Sequence, residues 1–246
     1  MIEAINTNKT ARRTSGREIN EYFSSACVSS GEFRDFIETL KLEIPETVVF
    51  GGMLRDFCFD LPSNFQSDID FVCSDPSAKI ERVLHRYNPV KNKFGGFRMV
   101  VGKYPVDIWA LDQTWAFKQG LVEGNDFEDL CSTTFFNVDA VYFPIKGSRL
   151  EHSKSFKAAT QTRVLDINLE ENPSPDKAAK RAISLSLKLN LMLSVKLQHY
   201  VLEHVDSALT SVPIYSTFIN LLKEHVELKE QGAKPFEFCP QGSLIS

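Results

Sequence analysis

The sequence predicts an α/β fold with a mixed sheet, because short runs of strand-forming residues alternate with amphipathic segments between residues 46 and 150. The first run, Thr47–Phe50, is mostly β-branched and ends at two glycines. A second run, Asp68–Cys73, is followed by a proline that begins a helical segment. Two more, Phe97–Val101 and Val106–Leu111, flank the turn residues GKYP, which is typical of a hairpin. We therefore expect one sheet flanked by helices.

Helices are predicted where apolar residues recur at helical spacing. Ser30 can cap the segment EFRDFIETLKL, in which Phe33, Ile37 and Leu40 share one face. Met53–Phe59 is predicted as a short helix directly after the glycine pair. This arrangement places a strand, a glycine turn and a helix in succession, the order that often carries a phosphate site.

The C-terminal part is predicted to be helical, after a further extended run at 135–143. Residues 184–197 alternate between polar and apolar side chains, which by period alone favours a strand. The preceding DKAAKRAI and the abundance of leucine and lysine favour a helix, which we adopt. Residues 198–230 predict two amphipathic helices separated at Pro213. The expected organisation is a flexible polar N-terminal arm (1–30), a head domain (31–150) and a smaller, all-helical C-terminal domain (151–246).

The composition is that of an ordinary globular protein, with 43% hydrophobic and 24% charged residues. A formal charge of -4 excludes a general basic field for nucleic acid, so any RNA contact must be local and no DNA partner is expected. The cations clustered at residues 9–17 are expected on a solvated arm, with contact to phosphates as the alternative. The five cysteines form no C-x-x-C pair, and no stretch reaches about 18 continuous apolar residues. We expect a cytoplasmic protein with reduced thiols and no membrane partner.

Two carboxylates mark the start of the second predicted strand. Asp68 and Asp70 lie two residues apart and project from the same face of a strand, with Cα atoms about 6.5 Å apart. Ile69 and Phe71 would point into the core. Carboxylates this close repel unless a cation lies between them, and Mg²⁺ prefers such hard oxygen ligands. A lone D-x-D is more often a solvated strand end, so the pair needs further support.

That support comes from Asp107 and from the glycine turn. Asp107 alternates with core residues in PVDIWAL and joins the first two acids if its strand lies beside theirs. Three acids would suit in-line attack on a nucleoside triphosphate, catalysed by two metal ions. Gly51 and Gly52 would let the backbone approach the triphosphate, and Arg55 would contact a phosphate. Asp56 is better explained as an acid of the first helical turn or as a salt-bridge partner.

The segment GGMLRD followed by DIDFV resembles the GG-x-x-RD … D-x-D signature of the DNA polymerase β-like nucleotidyltransferases. It is most similar to the head domain of bacterial CCA-adding enzymes and poly(A) polymerases of class II, whose strand hairpin is matched by KFGGFRMVVGKYPVDIWA. The resemblance implies a nucleotidyltransferase-fold head and two Mg²⁺ ions, with Mn²⁺ as an alternative. It also implies ATP or CTP as substrate and an RNA 3′ end, most simply that of tRNA, as acceptor.

The chain departs from the family in the motifs that select the base. Where relatives carry an R-R-D-F-T-I-N-A type motif, this chain has CSTTFFNVDAVYF. Where relatives carry E-D-x-x-R, the segment ENPSPDKAAKR offers Lys177, Lys180 and Arg181 at other spacings, and these are the candidate nucleotide contacts. Two other functions therefore stay open. One is nucleotidylation of a protein or small-molecule hydroxyl, as in toxins or resistance enzymes, and the other is a non-catalytic nucleotide- or RNA-binding subunit.

Other candidates have competing explanations. Lys91, Lys93 and Arg98 beside two glycines could line a phosphate or RNA path, but a solvated hairpin with a glycine bend is the favoured explanation. Trp109 and Trp115 lie near the predicted acids and could stack a base, although core packing is the simpler expectation.

Overall fold

A computed structural model describes residues 16–59, 68–206, 209 and 211–230. The chain divides into two compact units. The first contains the described residues as far as Thr134 together with Asp139–Phe156, and the second contains Phe135–Val138 and the described residues from Lys157 onward.

The first unit is built on a mixed sheet of seven strands, counted over the residues described. Its strand order is β3-β4-β5-β2-β1-β6-β7. Strands β2 and β5 are parallel, and every other neighbouring pair is antiparallel. The predicted mixed sheet is therefore confirmed. The strands are β1 (Thr47–Phe50), β2 (Ile69–Cys73), β3 (Val90–Lys91), β4 (Phe97–Val101), β5 (Tyr104–Ala110), β6 (Val141–Pro144) and β7 (Glu151–His152).

Helix α2 (Gly31–Glu43) covers one face of this sheet. The Ser30 hydroxyl accepts a hydrogen bond from the Phe33 N–H at 3.2 Å, which confirms the predicted cap of this helix. The Phe36 ring packs edge-on against Phe71 of β2, with centroids 5.7 Å apart. Because side chains alternate along a strand, Asp70 must face the opposite side of the sheet. The helices are α1 (Gly16–Ser29), α2 (Gly31–Glu43), α3 (Gly52–Cys58), α4 (Ser77–Leu84), α5 (Trp115–Lys118) and α6 (Phe127–Leu130), followed by α7 (Lys154–Thr162), in which the chain passes into the second unit.

Part of the predicted N-terminal arm is helical instead. Residues 1–15 lie outside the described part of the chain, but Gly16–Ser29 forms α1. Ile19 is fully buried, and the Phe23 ring stacks on Phe33 at 6.2 Å. The apolar residues of α1 recur at helical spacing within a polar sequence, so the arm prediction is wrong for this stretch.

The extended run predicted at 135–143 is also interrupted. Residues Asn137–Asp139 form a 3-10 turn, and only Val141–Pro144 continues as a strand. The Asn137 side chain donates to the Val164 carbonyl and accepts from the Asp166 N–H, both at 3.0 Å. Such a side chain competes with a regular strand ladder for backbone groups, which explains the break.

The second unit is mainly helical, as predicted. Its described helices are α8 (Pro175–Leu189), α9 (Val195–His204) and α10 (Pro213–Glu230), and a two-stranded parallel sheet of β8 (Val164–Leu165) and β9 (Met192–Leu193) is added to them. The ambiguous residues 184–197 are helical at both ends. The two helices are separated at Asn190, which adopts a left-handed conformation, and by the short strand β9.

Two further findings concern membrane-spanning helices and the cysteines. Among the residues described, no helix is long and apolar enough to cross a lipid bilayer. Cys27, Cys58, Cys73 and Cys131 are reduced thiols, as predicted, and Cys239 lies outside the described residues.

Candidate functional site

The three predicted acids lie together on the sheet face opposite α2. Asp70 of β2 and Asp107 of β5 are register partners on adjacent parallel strands. Asp68 lies directly before β2. The neighbours Ile69 and Ile108 are fully buried, so the alternation that the sequence predicted for both strands holds. The sheet order thus brings Asp107 beside the first two acids, as the sequence reasoning required.

A cation joins two of these acids. Arg98 of β4 is the register partner of Asp107, and its Nε donates to Asp107 Oδ1 at 2.8 Å. Its Nη2 donates to Asp107 Oδ2 at 2.5 Å and to Asp68 Oδ2 at 2.9 Å. The hydrogen bonds and charge of Asp107, together with the charge of Asp68, raise the pKa of Arg98 above its ordinary value. Arg98 therefore compensates part of the negative charge that the acids concentrate here.

Asp68 and Asp107 are oriented toward this guanidinium, and the charge of Asp70 also acts on it. Within the described ranges, no group of three or more His, Cys, Asp or Glu side chains is arranged to hold a metal ion. The donor chemistry nonetheless fits Mg²⁺, because Asp68, Asp70 and Asp107 all supply carboxylate oxygens and two of them already bind a cationic group. The Arg98 side chain is 64% exposed, so it can move without opening the core.

The glycine pair forms a tight turn between β1 and α3. Gly51 has φ 68° and ψ -117°, a conformation that only glycine adopts without strain. Its N–H donates to the Val141 carbonyl at 2.9 Å, so this amide serves the fold and is not turned toward a phosphate. Gly52 is the first residue of α3, where helix N–H groups point outward.

Replacement of Gly51 is expected to destabilise the protein. Gly51→Ala places a Cβ on a left-handed backbone and should lower the free energy of unfolding by about 1–3 kcal/mol. Gly52→Ala is the matched control, because an added Cβ there meets only Arg55 side-chain atoms at ordinary contact distances of 3.5 Å or more. Urea denaturation of both variants measures the difference. Equal stability of the two variants would contradict the conformational explanation.

Arg55 does not lie where a phosphate could reach it. Its side chain is only 5% exposed, and its Nη1 donates to Asp139 Oδ1 at 2.5 Å. Its Nε donates to Asp56 Oδ1 at 2.9 Å, as expected for Asp56 as a salt-bridge partner. Burial lowers the pKa of Arg55, but the attraction of Asp139 and Asp56 outweighs burial and raises it overall. The predicted phosphate contact is not supported, because two carboxylates already bind this guanidinium. Arg55 instead ties α3 to Asp139, two residues before β6.

The candidate base contacts belong to the second unit. Lys177, Lys180 and Arg181 are exposed on α8, whose opposite face buries Ala178 and Ala182. The Lys180 ammonium lies 5.9 Å from the centre of the Tyr215 ring. These residues form one cationic helix face.

The sequence reasoning missed two functional partners. Arg98 was treated as one of several hairpin cations, although a two-residue turn at Gly102-Lys103 fixes it opposite Asp107. Asp139 was not singled out, because its partner Arg55 is 84 residues away and no local pattern links them.

Comparison with solved structures reveals similar folds in CCA-adding enzymes. One such enzyme, solved in complex with CTP, matches with a TM-score of 0.53 and 16% identity over 74% of this chain and 45% of that chain. The Thermotoga maritima CCA-adding enzyme in complex with tRNA matches with a TM-score of 0.52 and 15% identity, over 74% and 44%. The Bacillus stearothermophilus CCA-adding enzyme in complex with CTP matches with a TM-score of 0.50 and 14% identity, over 76% and 47%.

These matches show a shared fold. The expected fold, a mixed sheet with flanking helices followed by a mainly helical part, is confirmed and is similar to that of these CCA-adding enzymes. The chain spans somewhat less than half the length of these three proteins. No protein-family model matches the sequence, and no curated protein matches it.

Proposed function

We propose that the protein is a Mg²⁺-dependent nucleotidyltransferase that moves a nucleoside monophosphate from an NTP, ATP or CTP, to the 3′ hydroxyl of an RNA, most simply a tRNA. The observation that carries this proposal is the pairing of Asp70 and Asp107 on adjacent strands, with Asp68 linked to Asp107 through Arg98. The fold shared with CCA-adding enzymes supports the reaction class. A cytoplasmic location is consistent with the free thiols.

Each residue of the site has a role in this proposal. Asp68, Asp70 and Asp107 hold two Mg²⁺ ions, with Mn²⁺ as an alternative. Metal ions held by these acids would supply Lewis-acid chemistry at the attacking hydroxyl and at the pyrophosphate leaving group. Asp107 orients the acceptor hydroxyl, since it is the acid furthest from the glycine turn in the sheet order.

The nucleotide is held by backbone and cationic groups. The turn at Gly51 and Gly52 lets the triphosphate approach the start of α3, where N–H groups favour negative charge. Arg55 acts indirectly, because its buried ion pairs hold this turn in place. Lys177, Lys180 and Arg181 remain candidate nucleotide contacts, and they share one exposed face of α8.

A labelling experiment tests the proposed reaction. The protein is incubated with each α-labelled NTP, Mg²⁺, total RNA and total protein, and the product pools are separated. Label at RNA 3′ ends with release of pyrophosphate supports the proposal. Label in protein or in small molecules instead would establish the same chemistry on a different acceptor. Nucleotide binding without pyrophosphate release would overturn the catalytic assignment.

Arg98 gives a second, independent prediction. Because its guanidinium binds the oxygens that the metal requires, Arg98→Met is expected to strengthen Mn²⁺ binding about tenfold, the equivalent of roughly 1.4 kcal/mol. Electron paramagnetic resonance of free Mn²⁺ measures the affinity without any turnover. Lys79→Met is the control. Lys79 forms a similar ion pair with Asp75, at an N–O distance of 2.7 Å, and this pair does not involve the three acids. Unchanged or weaker binding by Arg98→Met would show that Arg98 does not compete with the metal.

A further inference from the structure

A cavity of about 230 Å³ opens beside Asp107 in the first unit. Trp109, Trp115 and Phe94 provide aromatic walls, and Asp107 itself forms part of the lining. Asp107 and Trp109 lie two residues apart on β5, so both project from the sheet face that carries the acids. The cavity is therefore continuous with the proposed catalytic site, but its walls are aromatic whereas the catalytic site consists of carboxylates.

The walls of the cavity are fixed in position. The Trp109 Nε1–H donates to Thr114 Oγ1 at 3.1 Å, and the Phe50 ring packs edge-on against Trp109 with centroids 6.4 Å apart. Gly96 lies against the base of the Trp109 side chain, since a Cβ there would come within 3.1 Å of Trp109 Cβ and 3.3 Å of the Ile108 carbonyl oxygen. The absence of a side chain at Gly96 keeps the cavity open at this wall.

The aromatic side chains that line the cavity are not fully buried in the hydrophobic core. Phe94 is 45% exposed, and both tryptophans are half-buried around the cavity rather than fully packed. Flat, exposed aromatic surfaces bind nucleobases by stacking, largely independently of base identity. Cavities for drug-sized ligands measure about 300–1,000 Å³, so this smaller one suits a single planar base.

The sheet order indicates which base would bind. The order β4-β5-β2-β1 places the acids between the glycine turn that follows β1 and the cavity beside β5. In-line transfer requires the attacking hydroxyl and the leaving pyrophosphate on opposite sides of the reacting phosphorus. If the glycine turn holds the triphosphate, the cavity lies on the acceptor side.

We propose that this cavity binds the 3′-terminal nucleobase of the acceptor RNA, stacked against Trp115 and Trp109, so that the hydroxyl of the same nucleotide reaches Asp107. The inference rests on the proposed function and adds to it the site that positions the acceptor. Trp115 is a binding residue in this scheme, because it contacts substrate without taking part in proton or phosphoryl transfer.

Intrinsic fluorescence tests the proposal directly, because Trp109 and Trp115 are the two tryptophans of the chain. A short oligoribonucleotide is titrated into the protein without NTP or divalent ions. Saturable quenching is expected, and a matched oligonucleotide with an abasic 3′ terminus should bind about tenfold more weakly, within the range for loss of one stacked base. Trp115→Ala should weaken binding by a similar factor, measured through Trp109, and Trp115→Phe should restore most of it.

Val100→Ala serves as the control, since Val100 is 62% exposed on β4 and does not line the cavity. In steady-state assays, Trp115→Ala should raise the KM for RNA and leave the KM for NTP unchanged. Equal affinity for the intact and abasic oligonucleotides overturns the proposal, even if the labelling experiment shows nucleotide transfer to RNA. Displacement of the oligonucleotide by NTP alone also overturns it, because the cavity would then bind the incoming base. Base-dependent quenching without nucleotide transfer supports the cavity as a base site while refuting the proposed activity.

Discussion

Asp107→Asn is expected to lower the rate of nucleotide transfer about 10³-fold while leaving the fold intact. The substitution keeps the shape of the side chain but removes a charged ligand, and a loss of about 4 kcal/mol of transition-state stabilisation corresponds to this factor. Stability should change by less than about 1 kcal/mol, because the partner Arg98 is 64% exposed and such surface pairs contribute little.

Pyrophosphate release under saturating NTP and RNA measures this effect, and urea denaturation checks the fold. Asp75→Asn is a matched control: Asp75 also pairs with a cation, the half-buried Lys79, at 2.7 Å, but it lies beyond the opposite end of β2 from Asp68. The control should retain nearly full activity. An Asp107→Asn variant with wild-type turnover would remove Asp107 from the catalytic site.

Arg55→Met is expected to cause the largest loss of stability, about 3–5 kcal/mol. The substitution leaves the buried carboxylates of Asp56 and Asp139 without the guanidinium that both contact. A typical domain is stable by only about 5–15 kcal/mol, so a loss of this size brings the variant close to unfolding. The midpoint of urea denaturation, followed by circular dichroism, measures it.

Arg17→Met is the control that distinguishes the loss of buried ion pairs from the loss of an exposed arginine. Arg17 forms an ion pair with Glu21 at 2.8 Å, but its side chain is 84% exposed, so its removal should cost no more than about 0.5 kcal/mol. Asp139→Asn should fall between the two, because it removes one buried charge and can keep the hydrogen bond. If Arg55→Met remains within about 1 kcal/mol of wild type, the buried ion pairs do not hold α3 in place.

Much of the fold could be predicted because the relevant signals are local. Strand β1 has the predicted bounds, since a β-branched run ended by two glycines has few alternatives. The cap at Ser30 depends only on residues within one helical turn. The acids of β2 and β5 were located by alternation, a period-two pattern that survives folding when one sheet face is buried.

The remainder depends on contacts between distant residues. Helix α1 was missed because its polar composition hid the few apolar residues, such as Phe23, which stacks on Phe33 of α2. The position of Arg55 depends on Asp139, which only the pairing of β1 with β6 brings near it. Arg98 could have been placed by extending the hairpin register from its turn to Asp107.

A crystal structure with Mn²⁺ and a non-hydrolysable NTP would show whether the three acids hold metal ions beside a triphosphate. We expect anomalous peaks for Mn²⁺ bonded to Asp68, Asp70 and Asp107, the triphosphate next to the Gly51-Gly52 turn, and the Arg98 guanidinium withdrawn from Asp107. A nucleotide bound with Mn²⁺ remote from these carboxylates, or with Arg98 still paired to Asp107, would contradict it.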